Sequence, residues 1–222
     1  MNINEFLTKR YRLSQEESIV FLQEHEVLIN GKKASQRETI NKRDGLTIDG
    51  EMIRDEQRYS YYAYYKPRGI ECTLNPKIAD NLFDILPFEE RLFPIGRLDK
   101  ESEGLLILTN DGRLYKDIAL ADNFKEKEYE VTLDKLLTEH ALTQLSEGII
   151  IKGQKTRRAI VQSTGKQSFR IVLTQGINRQ IRRMCYKLGY EVTELKRTRI
   201  AAVQLNELNP GEYRRLTKED IF

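Results

Sequence analysis

The stretch RLDKESEG, residues 97–104, sets a single aspartate, Asp99, between Arg97 and Lys100 at the foot of the apolar run LLILT. Five of its eight residues are charged and only Leu98 is a large apolar one. A carboxylate flanked by cations can stabilise a developing positive charge, or attack a carbon directly. Gly104 opens the apolar run and Asn110-Asp111-Gly112 ends it. Asp99 is therefore expected on a loop held by a strand buried on both faces, a usual place for a positioned functional group. On spacing alone, the same residues also make a solvated turn whose charges satisfy one another.

Two further constellations could supply a partner and a substrate wall. In QGINRQIRRMCYKLGY, residues 175–190, Asn178 reads as a helix N-cap and Gly189 as the C′ terminator. Between them Ile181, Met184, Cys185 and Leu188 recur at helical spacing as an inward face. Arg179, Arg183 and Lys187 form a basic stripe. Arg182 lies beside the apolar edge, where an arginine needs a partner because an unpaired buried charge is costly. In FKEKEYEVTL, residues 124–133, Tyr129, Val131 and Leu133 alternate onto one strand face. A half-buried Tyr129 is either a core residue with a wet hydroxyl or a ring on which a nucleobase stacks, a contact worth ~1–3 kcal/mol. The tyrosine run YSYYAYYKP, residues 59–67, fits a strand buried on both sides that Lys66-Pro67 terminates.

Charge distribution points the same way. Net charge over the 222 residues is only +3, yet Lys152 to Tyr190 holds ten Lys or Arg and no Asp or Glu. The first 58 residues are nearly balanced, with ten basic and eleven acidic. A long acid-free basic stretch suggests a polyanionic partner. The composition, 39% hydrophobic and 32% charged, is that of a soluble globular chain. No apolar run approaches the ~18–20 residues of a membrane span, and MNINEFLTKR lacks the apolar centre of a signal peptide. The two cysteines, Cys72 and Cys185, make no CxxC and no Cys/His cluster. That disfavours structural zinc and fits free thiols in the cytoplasm.

The elements that must hold these residues fall into two parts. In residues 1–50, INEFLTKR reads as a short helix, and Ser14 to Glu17 as a capping box opening a second one that runs to about His25. VLINGKKA turns at Asn30-Gly31, and DGLTIDG adds another strand. Phe6, Leu7, Ile19, Leu22 and Leu28 are the expected core of this module, with Lys9, Arg10 and Arg12 free to meet a phosphate backbone. Residues 51–60 read as a linker. Beyond it, strands are expected at 104–109, 128–133, 149–151, 158–163 and 168–174, and helices at 111–120, 138–146 and 178–188. Strands outnumber helices and have hairpin-like spacing, which favours an α+β domain on a mixed, mostly antiparallel sheet.

GRLDKESEGLLILTNDG, KEYEV and GINRQIRRMCYKLGYEV, in this order and spacing, resemble the RsuA-type ribosomal RNA pseudouridine synthases. The run RQIRRMCYKLGYEVTELKRTRI is most like the large-subunit branch, synthase F. The resemblance covers nearly the whole chain. It implies an S4-like RNA-binding module over 1–58 with its linker, and a pseudouridine synthase catalytic domain over 59–222. It implies isomerisation of uridine in ribosomal RNA, within 23S RNA, with no cofactor and no metal. By the same resemblance Asp99 is the catalytic aspartate, Arg97 displaces the target base, and Tyr129 packs on the uracil. Ile181 lies under the base and Arg182 pairs with Asp99. Arg179 and Arg183, on the basic stripe, are expected to add to RNA binding. RNA is the expected partner, with tRNA open as a second substrate. No long apolar stretch demands a partner chain, so a monomer is expected. The competing reading is a non-catalytic RNA-binding ribosome assembly factor. An intact set of Asp99, Tyr129 and Arg182 argues against it.

Overall fold

The computed structural model describes residues 1–54, 59–119 and 123–221. The chain forms two compact units, Met1–Tyr59 and Ser60–Phe222. The first contains α1 (Ile3–Tyr11), α2 (Gln15–Glu24), β1 (Val27–Ile29), β2 (Lys32–Lys33), β3 (Leu46–Ile48) and β4 (Glu51–Arg54). Ser14 caps α2 by accepting from the Glu17 N–H while the Glu17 carboxylate accepts from the Ser14 N–H. These are the two reciprocal bonds of a capping box. Asn30 and Gly31 both take positive φ, 50° and 76°, as a two-residue hairpin turn requires.

Ile3, Leu7, Leu22, Val27, Ile29, Ile40, Leu46 and Ile48 form the buried centre of this unit. Ile19 and Leu28, expected in that core, are only partly buried. On β1 the pleat turns Val27 and Ile29 inward, so Leu28 faces the other way. Residues 51–54, expected to be linker, are strand instead. Asp49 and Gly50 adopt positive φ of 50° and 81° and return the chain as β4 against β3. Residues 55–58 of that expected linker, and position 120 of the expected 111–120 helix, lie outside the described residues.

The second unit comprises β5 (Tyr61–Lys66), α3 (Leu82–Ile85), β6 (Phe93–Pro94), β7 (Glu103–Thr109), α4 (Arg113–Ala119) and β8 (Lys127–Leu133). There follow α5 (Glu139–Glu147), β9 (Ile150–Ile151), β10 (Gln154–Lys155), β11 (Ile160–Ser163) and β12 (Ser168–Leu173). The chain then forms α6 (Gln180–Lys187), β13 (Val192–Ile200), β14 (Val203–Gln204) and β15 (Tyr213–Leu216). Its main sheet has the order β11-β12-β8-β13-β7-β5-β15. The β13–β7 pair is parallel and the other pairs along that path are antiparallel. The fold is thus α+β on a mixed, mostly antiparallel sheet.

β13 is not among the expected strands. Its sequence, VTELKRTRI, is too charged to read as one, yet it lies at the sheet's centre. One apolar cluster joins Val131, Phe169 and Leu195 of the sheet to Leu145 of α5 and to Ile181, Met184 and Cys185 of α6. A second gathers Tyr64, Cys72, Leu82, Leu98, Leu106 and Leu108. Tyr129 packs against both.

Candidate active site

The site starts from a close approach of two backbones. Gly104 pairs with Arg197 across the parallel β7–β13 contact. A Cβ at Gly104 would stand 2.3 Å from the Arg197 carbonyl oxygen, and φ there is +102°. Both facts reserve the position for glycine. Arg197, 2% exposed, spends its charge on backbone. Its Nε donates to the Leu105 carbonyl at 2.7 Å and a terminal nitrogen to the Arg97 carbonyl at 3.5 Å.

The loop ahead of β7 is fixed along its length. Leu98 is buried in the second apolar cluster, which anchors the loop by ~1.5–3 kcal/mol of burial and leaves Arg97 exposed and Asp99 partly exposed. The Ser102 N–H donates to the Asp99 carbonyl at 3.0 Å, and the Gly69 N–H to the Lys100 carbonyl at 2.8 Å. Lys66, fully buried at the end of β5, donates to the carbonyls of Pro67 and Ile70 at 2.7 Å each and to Lys100 at 3.5 Å. Burial pulls the Lys66 ammonium down to about 8, against the opposing charges of Cys72, Glu71, Glu103 and Asp99. Arg182 donates to the Glu101 carbonyl at 3.2 Å, the Ser102 hydroxyl at 3.3 Å and the Val192 carbonyl at 2.9 Å. Three cations therefore hold the loop by its main chain. Such charge-assisted bonds are stronger than neutral ones.

This corrects the expected role of Arg182. It forms no ion pair with Asp99. It is half-buried, and burial together with the charge of Arg179 lowers its pKa, against the charges of Glu101 and Asp99. The arginine facing Asp99 is Arg179, with a guanidinium nitrogen 3.7 Å from the carboxylate and 2.9 Å from that of Glu101. The hydrogen bond from Arg179 holds the Glu101 carboxyl below the ordinary carboxylate range. Arg179 reaches both because it takes the N-cap position of α6 in a left-handed conformation, φ 54°, without capping by its side chain. Asn178, expected as the N-cap, sits one residue earlier. Its carbonyl accepts from Arg183 Nε at 3.1 Å. The helix ends as expected. Gly189 has φ 81°, its N–H donates to the Tyr186 carbonyl, and the Tyr190 N–H donates to that of Cys185, the paired bonds of a Schellman motif.

Arg97, Asp99, Tyr129, Gln175, Arg179 and Ile181 come together around one cleft of about 490 Å³. Tyr129 stands half-buried on β8, and Ile181, 4% exposed, projects from α6. Aromatic and aliphatic walls beside a carboxylate suit a flat uncharged ring with its reacting bond near the anion. Lys9, Arg10 and Arg12 are in the other unit, exposed at the C-terminal end of α1, where Lys9 pairs with Glu5 at 2.8 Å. Among the described residues no group of three or more His, Cys, Asp or Glu could hold a metal ion. No helix among them is long and apolar enough to cross a membrane.

The sequence reading missed Lys66 and Arg197. Lys66 closes a run buried on both sides, where an ammonium must find acceptors. Arg197 falls two residues after the buried Leu195, on the same alternation of β13.

The RNA pseudouridylate synthase family matches residues 60–187. The dual-specificity RNA pseudouridine synthase RluF of Escherichia coli K12 is 39% identical over all of this chain and 77% of its own length. The uncharacterised RNA pseudouridine synthase YtzG of Bacillus subtilis is 33% identical over 88% of this chain and 86% of its own. A crystal structure of a pseudouridylate synthase superposes with a TM-score of 0.69 at 27% identity, covering 100% of this chain and 98% of that one. The family match takes in the Asp99 loop, the Tyr129 strand and the whole of α6, and with the full-length relatives it makes this chain an RNA pseudouridine synthase of the RsuA/RluF family.

Proposed function

We propose that this enzyme isomerises a specific uridine of ribosomal RNA, in the large subunit, with Asp99 acting on the sugar of a flipped-out nucleotide. The observation that carries this reading is the shared cleft. Asp99, on a loop tied down by Lys66, Arg182 and Arg197, faces the same space as Tyr129, Ile181 and Arg97. Pseudouridine forms when the N1–C1′ bond breaks, the base turns while held, and C5 bonds to C1′. Bond cleavage builds positive charge on the sugar, and a fixed carboxylate stabilises it as in glycoside hydrolysis. One carboxylate suffices because the base is not lost to water.

A uridine within folded RNA hides its glycosidic bond and must leave the stack. Arg97, exposed and without a carboxylate partner among the described residues, is suited to fill the gap it leaves. Tyr129 and Ile181 form the walls. They exclude water that would otherwise capture the sugar, and they grip the base without directional bonds that would stop it turning. Arg179 shares its one positive charge between Glu101 and Asp99 in the free enzyme. The buried cations act on the loop's carbonyls and so fix the position of Asp99. Pseudouridine mapping of ribosomal RNA from cells lacking the protein, with wild type or Asp99→Asn added back, tests the assignment. One position is expected to lose its modification and to regain it only with wild type.

A further inference from the structure

The outer side of α6 borders a second cleft, of about 460 Å³, in the same unit. Its chemistry differs from that of the Asp99 cleft. Tyr186 presents a ring that is 79% exposed, and among the described residues no aromatic ring stacks on it. Arg183, Lys187 and Lys152 line the same cleft, with Glu191 as the one carboxylate in the described lining. Arg183 and Lys152 are oriented, and among the described residues neither they nor Lys187 pair with a carboxylate. Arg183 donates to the Asn178 carbonyl at 3.1 Å, and both Arg183 and Lys152 reach the Asn178 side-chain oxygen at 3.5 Å. A neutral amide steers two positive charges and leaves them available to an anion.

The two clefts share a wall residue, Arg179. Arg182 lines the second while bonding to the carbonyl of Glu101 in the catalytic loop. Along α6 the path from Arg179 to Tyr186 is ~10 Å at ~1.5 Å per residue, the span of about three stacked nucleotides at ~3.4 Å each. An exposed aromatic face with cations at its rim is the combination that binds single-stranded nucleic acid, the ring taking a base and the cations its phosphates.

We propose that this second cleft holds a nucleotide of the substrate RNA a few positions from the target uridine, its base stacked on Tyr186 and its phosphate among Arg183, Lys187 and Lys152. The inference rests on the target uridine occupying the Asp99 cleft, as proposed above. The surface then serves affinity and placement. A strand anchored at Tyr186 runs past Arg179 and delivers the target uridine, a few nucleotides on, to the catalytic loop.

The test is a binding titration of the full-length protein with a fluorescein-labelled oligouridylate twelve nucleotides long, read by anisotropy at two salt concentrations. Tyr186→Ala should weaken binding about tenfold, the lower part of the range for one stacked base, while Tyr186→Phe should stay within about twofold of wild type. Lys152→Gln combined with Lys187→Gln should lower the salt slope by roughly 0.7 for each phosphate the variant no longer neutralises. Wild-type affinity and slope in these variants, or no binding by wild type, overturns the proposal. So does an acidic peptide, heptaglutamate, that binds wild type as tightly and is weakened as much by Tyr186→Ala, because the surface would then belong to a protein partner. None of these readouts depends on turnover. If the groove variants bind normally while Asp99→Asn abolishes modification, the catalytic reading stands and the second cleft falls.

Discussion

Leu98, the large apolar residue of RLDKESEG, is buried in a cluster with Tyr64, Leu106 and Leu108, and its neighbours take their directions from it. Truncation to Leu98→Ala should cost ~2–5 kcal/mol, as for other buried leucines. It should also lower turnover more than RNA affinity, since Asp99 loses its anchor. Urea denaturation and single-turnover rates measure the two effects. Tyr129→Phe keeps the ring and should keep RNA affinity. If turnover also stays near wild type, the hydroxyl carries no proton during the reaction. Lys66 gives a pH signature. Burial lowers Lys66 and Lys127 to about 8 from 10.5, with the charge of Arg197 adding to the effect at Lys127. Between about pH 8 and 10.5 these two lysines bind more protons in the unfolded chain than in the folded one and so contribute stability that rises with pH, opposed above about pH 9 by Cys72 and Cys185, whose thiols burial pushes up. Lys66→Met should rise less across that window than wild type. Parallel urea midpoints for the two proteins at pH 7.5 and 9.5 would contradict the assignment.

At the scale of elements, the contact of β7 with β13 holds the loop in place. Gly104→Ala sets a methyl against the Arg197 backbone, 2.3 Å from its oxygen and 2.7 Å from its nitrogen, at a φ that L-residues resist. Neither strand can yield without breaking the central pairing. A loss of about 3 kcal/mol or more is expected, read as a lowered urea midpoint. α6 is legible in the sequence because its apolar positions keep the helical period and Gly189 stops it. The α2 capping box and the Asn30-Gly31 turn are legible because each depends on residues within four positions. β13 is not, since its charges are satisfied by groups distant in sequence, the Leu105 carbonyl for Arg197 and the Glu126 and Glu128 carboxylates for Arg199. Lys66 is hidden for another reason: its short bonds go to the nearby carbonyls of Pro67 and Ile70, and main-chain acceptors leave no mark in the side-chain pattern. The same reason misplaces Arg182, whose partner is the loop's main chain, while the carboxylate goes to Arg179 one helical turn back. β4 escapes because Asp49-Gly50 reads as the end of a segment when it is a hairpin turn.

At the scale of the molecule, the catalytic unit carries the acid-free basic stretch, and the Met1–Tyr59 unit carries Arg10 and Arg12 exposed at the end of α1. We propose that these two arginines meet phosphates. Arg10→Glu with Arg12→Glu should weaken binding of deproteinised ribosomal RNA and lower its salt slope by about 1.5 if each arginine neutralises one phosphate. An unchanged slope would remove this unit from the RNA interface. The central claim is that Asp99 performs the isomerisation on ribosomal RNA. Its most direct measurement is carbodiimide labelling and primer extension on ribosomal RNA from cells lacking the protein, complemented with wild type or Asp99→Asn expressed at equal levels. The account predicts that one large-subunit pseudouridine disappears, returns with wild type and stays absent with Asp99→Asn. Full restoration by Asp99→Asn, or no missing pseudouridine in ribosomal RNA, would contradict it.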